Sequence, residues 1–139
     1  MKDIQAAVTA YLQEVTGIPA VERRSRAKTY PLLSVTARED GTVVLDGGRQ
    51  AEHTYTVTVT AASDREREEA DSLLARVTAA LLRGVPFAPG DGSGERVLHP
   101  TDIRTEGDTL TCTIGLCRRL PQPGEVPPEL METVHMAVR

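Results

Sequence analysis

Polar and apolar residues alternate strictly from Thr54 to Thr60. Tyr55, Val57 and Val59 fall on one face of an extended strand and the threonines on the other. Ser63 and Glu66 follow at the spacing of a capping box, in which each side chain satisfies a free backbone N–H at a helix start. The spacing therefore predicts a half-buried strand over 53–61 feeding directly into a helix over 64–83. That helix has an apolar face of Ala70, Leu73, Leu74, Val77, Ala80 and Leu81. Asp64, Glu66, Glu68 and Glu69 suit the positive end of its dipole. Gly84 stands where a left-handed cap residue belongs, and Pro86 blocks continuation.

The same reasoning places the other elements. Ile4, Ala7, Val8, Tyr11, Leu12 and Val15 form a helical stripe over 3–16, capped by Asp3 and ended by Gly17 and Pro19. A short extended piece is expected from Ile18 to Glu22, followed by the basic run Arg23 to Lys28. Leu32 to Arg38 alternates as a strand. Glu39-Asp40-Gly41-Thr42 reads as a turn, Val43–Leu45 as a short apolar piece, and Asp46-Gly47-Gly48 as a second break. Pro89 to Gly94 is a loop by composition. Arg96–His99 and Asp102–Arg104 read as one strand kinked at Pro100. After a turn at Glu106–Asp108, Thr109 to Leu116 forms a second strongly alternating strand, with Leu110, Cys112, Ile114 and Leu116 on one face. A hairpin with the preceding segment is expected.

These elements predict an α+β fold: a mostly antiparallel sheet of about four to five strands packed against two main helices, 3–16 and 64–83. Residues 1–120 form the domain. Residues 121–139 begin with a proline-rich arm that does not build its own core. Glu129 to Arg139 alternates weakly through Val134, Met136 and Val138. It has no obvious partner within the domain and is expected to pair with a neighbouring subunit.

Composition narrows the chemistry. The 139 residues suit one domain, and with 3% aromatics, no Trp and a single Phe the core must be aliphatic. Platforms for stacking nucleic-acid bases are absent. A net charge of −4 does not suit gripping a phosphate backbone. The start of the chain, Met1-Lys2-Asp3, leads into an amphipathic stretch rather than a signal peptide, and no window approaches the ~20 apolar residues of a membrane span. Cys112 and Cys117 lie five apart, on opposite faces of one strand, and read as reduced thiols of a cytoplasmic protein.

No catalytic or metal-binding pattern emerges. His53, His99 and His135 are widely separated, and none has a Cys or carboxylate at ligand spacing. No serine sits in a nucleophile elbow. Gly90-Asp91-Gly92-Ser93-Gly94 neither follows a clear strand nor opens a helix, and it lacks the lysine of a phosphate-binding loop. The acidic run from Asp64 to Asp71 alternates with Arg65 and Arg67, as a solvated helix face does. No cofactor is expected.

The order of segments nonetheless carries a likeness. An amphipathic helix is followed by Tyr30-Pro31-Leu32-Leu33-Ser34-Val35, then by Asp46-Gly47-Gly48-Arg49-Gln50 and Thr54-Tyr55-Thr56-Val57-Thr58-Val59. A helix with a charged start comes next, and Leu98-His99-Pro100-Thr101-Asp102-Ile103 precedes the last strong strand. Over roughly residues 1–120 this resembles the phage tail terminator (tail completion) proteins of prophages from Gram-positive bacteria. The resemblance implies a non-enzymatic subunit of a homo-oligomeric ring, typically a hexamer. Such a ring caps the head-proximal end of the tail tube and docks to head-completion or connector proteins. DNA passes through its lumen without specific binding. It implies no membrane partner, and a place at the tail–head junction of the virion after assembly in the host cytoplasm.

Three other readings are open. A neck or head–tail joining protein would bind the portal side instead of the tube, and a monomeric bacterial binding module would keep its strand edges covered. An enzyme built on Cys112 or Cys117 with a distant histidine would need a thiol of lowered pKa. For the ring reading, the contact or lumen element is expected in Arg38–Glu52, with Arg38, Glu39, Asp40, Asp46, Arg49 and Glu52 as interaction residues. Arg23 and Arg24 are expected to bridge to an acidic neighbour.

Overall fold

The structure, a computed structural model, describes residues 2–22, 31–63, 67–89 and 94–120. Its elements run α1 (Lys2–Thr16), β1 (Ala20–Val21), β2 (Leu32–Leu45), a single 3₁₀ turn (Asp46–Gly48), β3 (Gln50–Ala62), α2 (Arg67–Leu82), β4 (Val85–Phe87), β5 (Arg96–Leu98), β6 (Thr101–Glu106) and β7 (Thr109–Arg119). The fold is α+β. One mixed sheet of five strands has the order β1-β2-β3-β7-β6, and β4 and β5 form a second, two-stranded sheet. Every pairing is antiparallel except β1 with β2.

Register follows from burial. Val35 lies opposite Val59 and Val59 opposite Leu110, while Ala37, Val57 and Cys112 make the next row. A one-residue slip would turn every one of these side chains to the wrong face. Both helices lie over this side, α1 against β2 and α2 against β3, and they also touch each other. Ile4, Val8 and Leu12 of α1 and Leu74, Val77 and Leu81 of α2 are buried against the sheet. Each such side chain contributes about 1.5–3 kcal/mol of transfer free energy. The core is aliphatic, with Tyr55 and Phe87 as its buried aromatics. The other face of the sheet carries half-exposed threonines: Thr54, Thr56, Thr58, Thr60, Thr109, Thr111 and Thr113.

Several expectations need correction. The helical stripe does not reach Val15, which is 39% exposed. Thr16 takes the buried position, its hydroxyl donating to the Leu12 carbonyl at 2.5 Å. Asp3 lies inside α1 rather than capping it. The capping box cannot be placed, because Glu66 is outside the described residues. The expected strand 96–104 is two strands in two sheets. β4, absent from the sequence reading, pairs with β5 just after α2. The expected cap at Gly84 is present, with φ +93° and its N–H donating to the Leu81 carbonyl at 3.0 Å. A Cβ at Gly84 would also collide with the side chains of Val97 and His99.

The main departure lies in β2. Glu39–Thr42 is not a turn: the strand runs through it to Leu45. The pairing steps from Glu39↔Tyr55 to Gly41↔Thr54, so Asp40 is one extra residue, a β-bulge. The reversal comes later, where Asp46, Gly47 and Gly48 all have positive φ (53°, 62° and 93°). That run of left-handed residues meets the requirement of a tight hairpin. The hairpin is therefore longer than its composition suggests.

Candidate interaction surface

The distal end of this hairpin is built differently from the rest of the sheet. From Gly41 to Gly47 every residue is exposed. Among the described residues no helix buries this part of β2, and polar bonds between strands hold it instead. At the bulge the two carboxylates diverge. Asp40 turns to the threonine face, where it accepts from Arg38 Nε at 3.0 Å and from the Thr56 hydroxyl. Glu39 turns to the helix-side face. There its Oε1 accepts from His53 Nδ1 at 2.7 Å and from the Thr42 hydroxyl at 3.0 Å. A carboxylate only accepts, so His53 carries its proton on Nδ1. The His53 ring leans toward Tyr55, with centroids 6.3 Å apart.

These bonds favour the charged carboxylates. Donation from His53, then from Thr42, holds Glu39 below the ordinary glutamate range. Donation from Thr56, then from Arg38, does the same for Asp40. The Thr42, His53 and Glu39 side chains are not arranged as a proton relay. Thr42 Oγ1 lies 3.1 Å from Nδ1, the same nitrogen that Glu39 engages. A relay needs the nucleophile and the carboxylate on opposite ring nitrogens. The cluster therefore acts as a brace at the base of the hairpin end.

Beyond the brace, the turn is fastened by its backbone. The Arg49 N–H donates to the Asp46 carbonyl at 3.2 Å, and the Leu120 N–H donates to the Arg49 carbonyl at 2.8 Å. Glu52 is exposed and pairs with Val43 on one side and Cys117 on the other. Between brace and turn stand Val43, 59% exposed, and Val44, 61% exposed, with Leu45 partly exposed beside them. Successive strand residues point to opposite faces, so the end of β2 shows apolar surface on both sides.

Arg38, Glu39, Asp40, Asp46, Arg49 and Glu52 all lie on this one hairpin, but the bulge divides Glu39 from Arg38 and Asp40. Arg23 and Arg24 lie outside the described residues. The sequence reading missed Thr42, His53 and Thr56 as partners and Val43, Val44 and Leu45 as the exposed apolar part. Only the strand register brings Glu39 beside His53, 14 residues away.

Other chemistry is sparse. Cys112 is buried at 2% exposure, and burial pushes its thiol up to about 11. That is opposite to the lowered pKa a thiolate nucleophile needs. Cys117 lies on the threonine side, its Sγ donating to Gln50 Oε1 at 3.2 Å. Among the described residues no group of three His, Cys, Asp or Glu side chains is arranged to hold a metal ion, and no helix is long and apolar enough to cross a membrane. No family model matches the chain, and no curated protein matches it.

Proposed function

We propose that the chain is a structural subunit of a phage tail: a tail terminator that forms a ring, caps the tube and joins it to the head-completion or connector proteins. The observation that carries the reading is the braced hairpin end, with Val43, Val44 and Leu45 exposed above a well-packed core. Exposed apolar side chains on a rigid strand add nothing to the stability of the subunit and suit a surface that another protein covers. The sequence resemblance supports the rest: a homo-oligomer of the hexamer class, a lumen through which DNA passes without specific contacts, and a location at the tail–head junction. In this reading the function lies in interfaces, with no catalysis and no cofactor. The flat threonine face supplies a second surface for packing between subunits, since a ring needs two different patches that meet head to tail.

The test is capping of tail tubes by the purified chain. Replacing Asp46–Arg49 with Asn-Gly keeps a hairpin turn while removing the natural tip. The reading expects an unchanged far-UV circular dichroism spectrum and tubes of uncontrolled length. Tubes of normal length with this variant would contradict it. Binding to portal-side proteins with none to tube protein would assign the chain to the neck instead.

A further inference from the structure

Among the described residues the sheet has two kinds of open edge. β6 is short, interrupted by a register shift between Thr101 and Arg104, and carries Asp102 at φ 52°. Asp102 and Arg104 form an ion pair of 2.8 Å along it. Charges and irregularity of this kind prevent another strand from adding. The outer edge of β2 is different. β1 pairs only with Leu33 and Ser34. The Gln5 side chain then accepts the outward N–H of Ala37 at 2.9 Å. Past Ala37 no described strand lies outside β2. Inward and outward backbone groups alternate along an antiparallel strand. Counting on from Ala37 through the bulge, the outward groups belong to Glu39, Thr42 and Val44.

We propose that residues 133–138 of a second copy add as a strand to this edge, between Glu39 and Leu45. The proposal rests on the ring reading in requiring a neighbouring copy. Thr133-Val134-His135-Met136-Ala137-Val138 alternates, so an added strand would set Val134, Met136 and Val138 on one face, beside the exposed Val44. Main-chain bonds supply affinity in strand addition, and alternate side chains supply specificity. The chain's exit gives the direction. Leu120 is fastened to Arg49 at the same end of the sheet. The following eight residues, 121–128, include Pro121, Pro123, Pro127 and Pro128. Prolines cannot join a ladder and favour an extended spacer, which at ~3.1 Å per residue spans about 25 Å. The position outside the chain's own β2 is three strand spacings away, about 14 Å. The spacer overshoots that distance and suits a neighbour.

Disulfide trapping in the full-length chain tests this, with Cys117→Ser to remove the accessible native thiol. Val44→Cys is combined in one chain with Val134→Cys, Met136→Cys or Val138→Cys, and each variant is oxidised gently. The expected result, for the partner in register, is a ladder at multiples of the 15.0 kDa chain mass on a non-reducing gel. The ladder is lost when the acceptor cysteine is moved from Val44 to Thr105 on β6. A monomer with an internal disulfide overturns the proposal, as does an equal ladder from Thr105→Cys or no cross-link with any of the three partners. Light scattering on the same samples separates this from the ring reading. A mass several times that of one chain without cross-links leaves the ring standing and removes only this edge. The mass of a single chain without cross-links removes support from both.

Discussion

The two ends of the β2–β3 hairpin share strands, register and alternation, yet different forces hold them. At the proximal end Leu33, Val35, Val57 and Val59 are 0% exposed beneath two helices. At the distal end Val43 and Val44 are more than half exposed, and side-chain bonds across the bulge replace packing. The boundary is sharp. Ala37, capped by Gln5 of α1, is the last residue of β2 tied to a helix, and Asp40 is the bulge. Burial dictates where a strand lies in the first region. In the second, strand pairing and these side-chain bonds carry the backbone outward and leave Val43 and Val44 exposed. Proximal substitutions should therefore act on stability, and distal ones on assembly.

The largest effect is expected in the buried core that the proximal region shares with β7. Ile114 is fully buried, so Ile114→Ala leaves a cavity and should cost about 3 kcal/mol, lowering the melting temperature by roughly 10 °C. A loss below about 1 kcal/mol in denaturant titration would show that the core is loosely packed, and the contrast would weaken. The two thiols offer a second comparison on one strand. Cys117 should react with a thiol reagent in the native state. Cys112, buried and with its thiol pushed up to about 11, should react only as fast as the protein unfolds. Equal rates for both thiols would place Cys112 in an open environment.

The smallest effect concerns the brace. His53→Phe removes the first donor to Glu39, so the Glu39 carboxyl should titrate at higher pH when followed by NMR. The sign for stability follows from the lowered value in the folded state. The contribution of Glu39 is present above the ordinary glutamate range and is lost as pH falls through its lowered pKa. Asp40 behaves likewise through Thr56 and Arg38. An unchanged Glu39 titration in His53→Phe would mean that the bond does not hold in solution.

The contrast also explains what could be read from the chain. The alternation in Thr54–Thr60 and Thr109–Leu116 identifies the central strands because one face of each is buried. The periodicity of Leu73, Leu74, Val77 and Leu81 identifies α2 for the same reason. Glu39-Asp40-Gly41-Thr42 misleads because its composition suits a turn. It forms a bulge because the strand continues to a stronger reversal at Asp46-Gly47-Gly48, where three successive positive φ values are needed. The Glu39–His53 contact was not legible, because it depends on a register shifted by one residue. β4 was hidden by Pro86, which is tolerated because, among the described residues, β4 has only one neighbouring strand.

On the proposed function, the distal end of β2 serves assembly and not the stability of the subunit. The most direct test is the solution mass of the full-length chain by light scattering across a concentration series, beside a variant carrying Val43→Thr, Val44→Thr and Leu45→Thr. The account predicts a species several times the mass of one chain for the natural protein and a folded monomer for the variant. Equal masses for the two, or a variant that unfolds, would contradict it.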